Sequence, residues 1–384
     1  MRSQRLVAHV LGLLILCIAL SAQAIPIPAP PQFKAKSYVL MDANSGQVIV
    51  ASNPDEHSEP ASLTKLMTVY VVFHALKDDV IKLDTPVTIS VKAWRMGGSR
   101  MFAKVGSQVS VENLLQGVIV QSGNDAAVAL AERVGGTEDG FADLMNQYAQ
   151  KLGMKNTHYV DASGLTDDPS HYVSALDLAI LSRAIINQFP NYYRRFFSEK
   201  SFTWNNITQP NRVSPLFTDP SVDGLKTGFT DQAGYCMVVS ALRDGMRLIA
   251  VVMGTPSEKA RAIDDEALLN YGYNFYETHK LYAAGTAITQ LKAWKGDDSS
   301  VPVGVTHDLY VTIPKGSYPQ LSATLQTPSG LIAPIAAGAA AGSVNVSYDG
   351  KALLDAPLYT LKAVPEGNIF RRIVDSIHLW FVKK

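Results

Sequence analysis

The sequence predicts an α+β chain in two globular parts followed by a helix. A larger domain of helices and antiparallel strands precedes a small all-β domain. Three observations carry this. The chain has 384 residues, more than one ordinary hydrophobic core accommodates. Helix-spaced and β-prone runs are interleaved as far as Gly285, and beyond it come short strands with turns rich in glycine and proline. From Glu366 to Lys384, apolar residues recur again at helical spacing. These shifts divide the chain into a leader over 1–24, a first domain over 25–285, a second over 286–364 and a terminal helix over 365–384.

The start Met1-Arg2-Ser3-Gln4-Arg5, an apolar run that includes Val10 to Leu20, and the close Ala22-Gln23-Ala24 describe a secretory signal cut after Ala24. A membrane-spanning helix is the alternative, but the run is short and ends in small residues. Cleavage removes Arg2 and Arg5 and no acid, leaving 32 basic against 34 acidic side chains. With 34 of each in the full chain, bulk charge excludes a typical nucleic-acid binder. Cys236 is then the one remaining cysteine, so no internal disulfide can form, and its apolar setting reads as a small buried hydrophobe. No His, Cys and acid cluster has metal-ligand spacing, so neither metal nor cofactor is expected.

In order, Ile25 to Gln32 is a proline-rich lead-in. Ser37–Asp42 and Gln47–Ala51 flank the turn formers Asn44-Ser45-Gly46 and make a hairpin. Pro60 then opens a helix near Ser62, with Leu66, Met67, Tyr70 and Val71 at helical spacing. Helical runs from Glu112 to Val120 and from Asp125 to Val134 enclose the tight connection Ser122-Gly123-Asn124. A helix over Phe141–Leu152, a long loop over Thr157–Tyr172 and a helix over Leu176–Ile186 follow. Val222–Thr230 leads into a β pair, Gly234–Leu242 and Met246–Met253, turned by Arg243-Asp244-Gly245. Lys226 therefore belongs on or beside a sheet edge. A helix over Ala260–Tyr276 carries Arg261 near its start.

The small domain contains strands at Leu309–Ile313, Ser343–Tyr348 and Leu358–Leu361, with strand spacing that suits a sandwich. Ala336–Gly342 reads as a loop. In the terminal helix Ile369, Phe370, Ile373, Val374, Ile377, Trp380 and Phe381 recur at helical spacing, and Lys383 and Lys384 close it. It is too short and charged to span a bilayer. It suits either a membrane interface or docking on the β domain.

Chemistry concentrates in three short motifs. In Ser62-Leu63-Thr64-Lys65 the offset of three places a hydroxyl beside an amine on one helical face. A hydroxyl becomes a good nucleophile when a base takes its proton, and a lysine is such a base once burial or a positive neighbour lowers its pKa. The same four residues also fit a helix start with an exposed lysine. Ser122-Gly123-Asn124 fits either a plain turn or polar groups aimed into a cleft. Lys226-Thr227-Gly228 completes the set.

In that order, in an exported chain, these motifs resemble the low-molecular-mass penicillin-binding proteins, above all the D-alanyl-D-alanine carboxypeptidase family. The resemblance rests on Ala61–Thr68, Ser122–Ala126 and Asp223–Gly228, and it runs through the β domain to Pro365-Glu366-Gly367-Asn368. It implies a β-lactamase-like catalytic domain. It implies that Ser62 attacks the terminal D-Ala-D-Ala bond of a peptidoglycan pentapeptide, with Lys65 as general base kept neutral, at least transiently, by Lys226. Ser122 would pass a proton to the leaving D-alanine, and Asn124 would hold the Lys65 side or the substrate amide. Lys226 and Thr227 would meet the substrate carboxylate, assisted by Arg261.

The backbone N–H groups of Ser62 and Phe229 would form the oxyanion hole. Asp161 and Gly164 fall on the loop that borders this site. β-Lactams would acylate the enzyme at the periplasmic face of the inner membrane. One departure stands out: the family commonly has histidine where this chain has Phe229. A class A β-lactamase would typically carry Ser-Asp-Asn and a loop glutamate, and lack the extra domain. An endopeptidase of the same superfamily and a non-catalytic wall-binding protein are the other rivals.

Overall fold

A computed structural model describes residues 27–382 of the chain. The signal segment and Lys383-Lys384 lie outside the described residues. The larger domain is built on a five-stranded antiparallel sheet. Its order is Val48–Ser52, Ser37–Asp42, Met246–Thr255, Gly234–Arg243, Val222–Thr230. Both faces are covered, and this explains why its central strands read as unbroken apolar runs. Val39, Met41, Cys236, Val238 and Val251 join the core on one face. Their chain neighbours Leu40, Met237, Val239, Ala250 and Val252 join a separate core on the other, beneath the helix Glu258–Phe275.

The first core is the larger, and the helix Thr64–Lys77 runs through it. Nearly all of that helix is buried, the mark of a helix apolar all round at the centre of a domain. The helices Val111–Ile119, Asn124–Gly135, Glu138–Leu152 and Ala175–Gln188 pack around it. Ser110, Thr137 and Ser174 cap three of these starts by accepting from the N–H three residues on. A helix over Pro190–Phe196, a hairpin of Ser201–Trp204 with Ile207–Pro210, and a turn of helix at Pro215–Thr218 fill a stretch whose elements the sequence does not announce.

The second domain starts upstream of the composition change at Gly285. Tyr276–Tyr282 already pairs with Leu309–Pro314, because the long helix runs straight into it at Phe275. A six-stranded sheet completes the domain, including Ala340–Tyr348 against Lys351–Thr360. The strand thus takes in the last part of the segment read as a loop, since its small residues fit a crowded ladder. Hydrogen bonds from Thr278 Oγ1 to Asp42 Oδ2 (2.6 Å) and between Ser45 Oγ and Thr312 Oγ1 (2.7 Å) tie the hairpin turn to this domain.

The terminal helix Ile369–Val382 docks on the β domain through polar groups. The backbone N–H of Lys295 donates to the buried Asp375 Oδ2 at 2.5 Å, and Arg371 Nη1 donates to the Asp297 carbonyl at 2.6 Å. Its apolar residues Ile369, Phe370, Ile373, Val374, Ile377, Trp380 and Phe381 are all exposed. Among the described residues, no helix is long and apolar enough to cross a membrane.

Candidate active site

Ser62 sits in a single 3₁₀ turn, Ala61–Leu63, which runs directly into the helix Thr64–Lys77. The expected pairing is present: Lys65 Nζ lies 2.9 Å from Ser62 Oγ and donates to the Ser163 carbonyl at 2.6 Å. Lys65 is fully buried, so burial rather than a specific partner dominates its chemistry and lowers its pKa to about 7. The Asp161 carboxylate pulls the other way, Arg212 adds to the lowering, and Asp125 opposes it weakly. An amine poised near neutrality can hold the Ser163 carbonyl with one N–H while its lone pair accepts the Ser62 hydroxyl proton.

Lys226 is also buried, and its own amine is pulled well down, first by burial and then by the positive charges of Lys65, Arg212 and Arg261. Burial leads the lowering at Lys65 and Arg212 adds to it, and the repulsion between the Lys65 and Lys226 amines acts on both. Lys226 Nζ donates to the Thr227 carbonyl at 3.1 Å. It lies on Val222–Thr230, which is an edge strand as expected.

That strand presses against the turn that carries Ser62 at Gly228. A Cβ there would stand 2.8 Å from the Pro60 carbonyl oxygen, closer than side-chain carbons approach, so the third residue of the motif must be glycine. Thr230 Oγ1 pins the strand end by donating to Glu59 Oε1 at 2.8 Å. Gly164 is tighter still, with φ of +74° and a Cβ position only 1.8 Å from the Ala61 carbonyl oxygen.

Ser122 is buried in the turn before Asn124–Gly135 and holds a φ of +60°, an uncommon and strained conformation for a non-glycine residue. Asn124 is not committed to Lys65. Its Nδ2 donates to the Gly97 carbonyl at 2.8 Å, and its backbone N–H donates to Ser99. Asp125 accepts from the N–H groups of Met101 and Ala103, so the pair holds residues 97–103 as one wall of the cleft.

Arg261 lines the cleft but is largely buried. It donates to the Cys236 carbonyl and to Glu258 Oε1 (3.4 and 3.1 Å), and burial leads the lowering of its pKa. The cleft measures about 890 Å³ and is lined by Ser62, Ser122, Asn124, Thr227, Phe229 and Arg261 together with Arg212. Phe229 is 48% exposed and stacks at a tilt on Tyr235, with centroids 4.3 Å apart. Arg212, which lines the cleft, and Ser163, whose carbonyl holds Lys65, are the positions here that the sequence did not mark.

A sequence profile described as D-alanyl-D-alanine carboxypeptidase matches residues 25–257, and one for the C-terminal domain of penicillin-binding protein 5 matches 276–366. The chain is 42% identical over 363 residues to D-alanyl-D-alanine carboxypeptidase DacA of Escherichia coli K12, covering 92% of this chain and 90% of that protein. It is 44% identical over 356 residues to the DacA of Haemophilus influenzae, with 91% and 90% covered. Penicillin-binding protein 5 from Haemophilus influenzae has a crystal structure that superimposes with a TM-score of 0.82 at 45% identity, covering 88% of this chain and all of that one. Penicillin-binding protein D2 of Listeria monocytogenes, solved with ampicillin bound, matches at 30% identity and a TM-score of 0.59, over 64% of this chain and all of that one.

Proposed function

The chain belongs to the D-alanyl-D-alanine carboxypeptidase family, and we propose that Ser62 is its acylated nucleophile and Lys65 its general base. It is a serine carboxypeptidase that removes the terminal D-alanine from peptidoglycan pentapeptides. The observation that carries the assignment is the fully buried Lys65 amine at 2.9 Å from the Oγ of Ser62, a residue that lines the cleft. Ser62 Oγ attacks the carbonyl of the penultimate D-alanine and passes its proton to Lys65. The backbone N–H groups of Ser62 and Phe229 receive the oxyanion. Ser122 conveys the proton to the leaving nitrogen, and the C–N bond breaks.

Lys226, Thr227 and Arg261 receive the C-terminal carboxylate, while Asn124 shapes the wall along which the stem peptide lies. Water then hydrolyses the ester. β-Lactams stop the cycle at the acyl-enzyme. The loop Thr157–Tyr172 has no glutamate and offers Lys65 a backbone carbonyl instead, which favours this reading over a β-lactamase. The test is D-alanine release from a diacylated Lys-D-Ala-D-Ala peptide. Stoichiometric penicillin labelling without release would replace the carboxypeptidase by an endopeptidase or a wall-bound receptor.

Phe229 supplies a backbone N–H but no polar side chain, so hydrolysis of the acyl-enzyme should be slow. Phe229→His is expected to shorten the lifetime of a bound fluorescent penicillin about tenfold, below the full benefit of a positioned acid–base group. An unchanged lifetime would count against a role for this side chain.

The protein is proposed to act at the periplasmic face of the inner membrane, with the terminal helix lying in the lipid interface. Its docking through Asp375 and Arg371 leaves seven apolar side chains outward, so docking and membrane binding are compatible. Sedimentation with anionic phospholipid vesicles is expected for the full chain and lost on truncation after Pro365. Equal sedimentation of both forms would place the membrane contact elsewhere.

A further inference from the structure

Asp161 lies on the loop Thr157–Tyr172, and one of its oxygens organises the turn that follows. Oδ1 accepts from the N–H of Ser163 (2.5 Å), the N–H of Gly164 (2.6 Å) and the Ser163 hydroxyl (3.1 Å). Three donors on one oxygen fix the peptide that carries the Ser163 carbonyl, and this carbonyl is the one that accepts from Lys65 Nζ. The turn has no room to shift, because Gly164 is wedged against the Ala61 carbonyl of the nucleophile turn. The other oxygen, Oδ2, is buried and has no hydrogen-bond partner among the described residues. Such an oxygen is costly unless positive charge compensates it.

We propose that Asp161 is a positioning residue for Lys65: Oδ1 fixes the carbonyl that holds the amine, and the unpartnered oxygen keeps a buried negative charge beside the nucleophile turn. The proposal rests on Lys65 being the base. The charged groups that act on Lys65 are Asp161, Arg212 and Asp125, with Lys226 coupled to it in turn, and the Asp161 effect is the largest among the charges. His171 is the titratable neighbour on the Asp161 side. It is buried, it bonds Thr64 Oγ1 through Nε2, and its Nδ1 accepts from the N–H of Val160, an arrangement that fits the neutral ring.

Removing the negative charge destabilises protonated Lys65, so the base becomes available at lower pH. The experiment is the second-order rate of acylation by a penicillin between pH 5 and 9, for the wild type, Asp161→Asn and Asp161→Ser. In both variants the acid limb is expected to move down by about one pH unit, raising acylation at pH 6 roughly fivefold relative to its plateau. A role in shape alone would lower the plateau and leave the limb in place, and that result in either folded variant overturns the proposal. Lys65→Ala measured alongside separates the two readings. Wild-type acylation there would remove Lys65 as base, whereas loss of acylation with an unmoved limb in the Asp161 variants would remove Asp161 alone.

Discussion

Ser62→Ala is expected to abolish both D-alanine release and covalent labelling by penicillin. The loss in turnover should be at least roughly 10⁴-fold, the scale seen when a nucleophile is removed from a hydrolase that works through an acyl intermediate. The remaining machinery cannot compensate, because Lys65 would have no nucleophilic hydroxyl on its own turn to deprotonate. The fold should be untouched. Ser62 is partly exposed, its hydroxyl accepts one hydrogen bond, and Lys65 keeps its bond to the Ser163 carbonyl. A change in stability of about 1 kcal/mol or less follows, and equal thermal midpoints would confirm that the loss is chemical. Residual labelling at a rate near the wild type would place the nucleophile elsewhere in the cleft.

The residues that this experiment addresses were legible because each motif is local. An offset of three on one turn of helix is a property of the backbone, so Ser62 and Lys65 meet whatever the rest of the chain does. The environment of the pair was not legible in the same way. The Ser163 carbonyl that holds Lys65 is a backbone group 98 residues away, and every residue has a carbonyl. Arg212 reaches the cleft from a stretch of short elements with little periodicity, where no pattern marks one arginine among several. The glycines sharpen the contrast. Gly228 could be named as part of a motif, but its reason, the Pro60 carbonyl pressed against its α-carbon, exists only once strand and turn have packed together.

The terminal helix divides the same way. Its apolar period is visible in the sequence, while its docking depends on two polar side chains, Asp375 and Arg371, meeting backbone groups of Lys295 and Asp297.

Lys65→Met should separate catalysis from stability in opposite directions. Acylation is expected to fall by about 10² to 10⁴, the range for a lost general base. Lys65→Arg should fare no better, since a guanidinium does not give up its proton near neutral pH. Stability should rise instead. The folded-state pKa of Lys65 is lowered to about 7 from the ordinary lysine value of 10.5. Between these values the unfolded chain binds a proton that the folded chain lacks, so stability increases with pH across that window. Below about pH 7 both states hold the proton, and the folded state bears the whole penalty of a buried charge.

Methionine fills much of the same volume without that penalty, at the loss of the bonds to Ser62 and Ser163. A net gain of roughly 1–4 kcal/mol at pH 7 is therefore expected, shrinking as the pH approaches 10. Lys226 acts in the same direction, because removing Lys65 relieves one of the positive charges that press on its amine. Thermal melts of wild type and Lys65→Met at pH 6, 7 and 9.5 measure the difference directly. A stability gap that stayed constant across that range would mean that the amine does not change its charge within it, and the buried lysine would then have to be a fixed cation rather than a base.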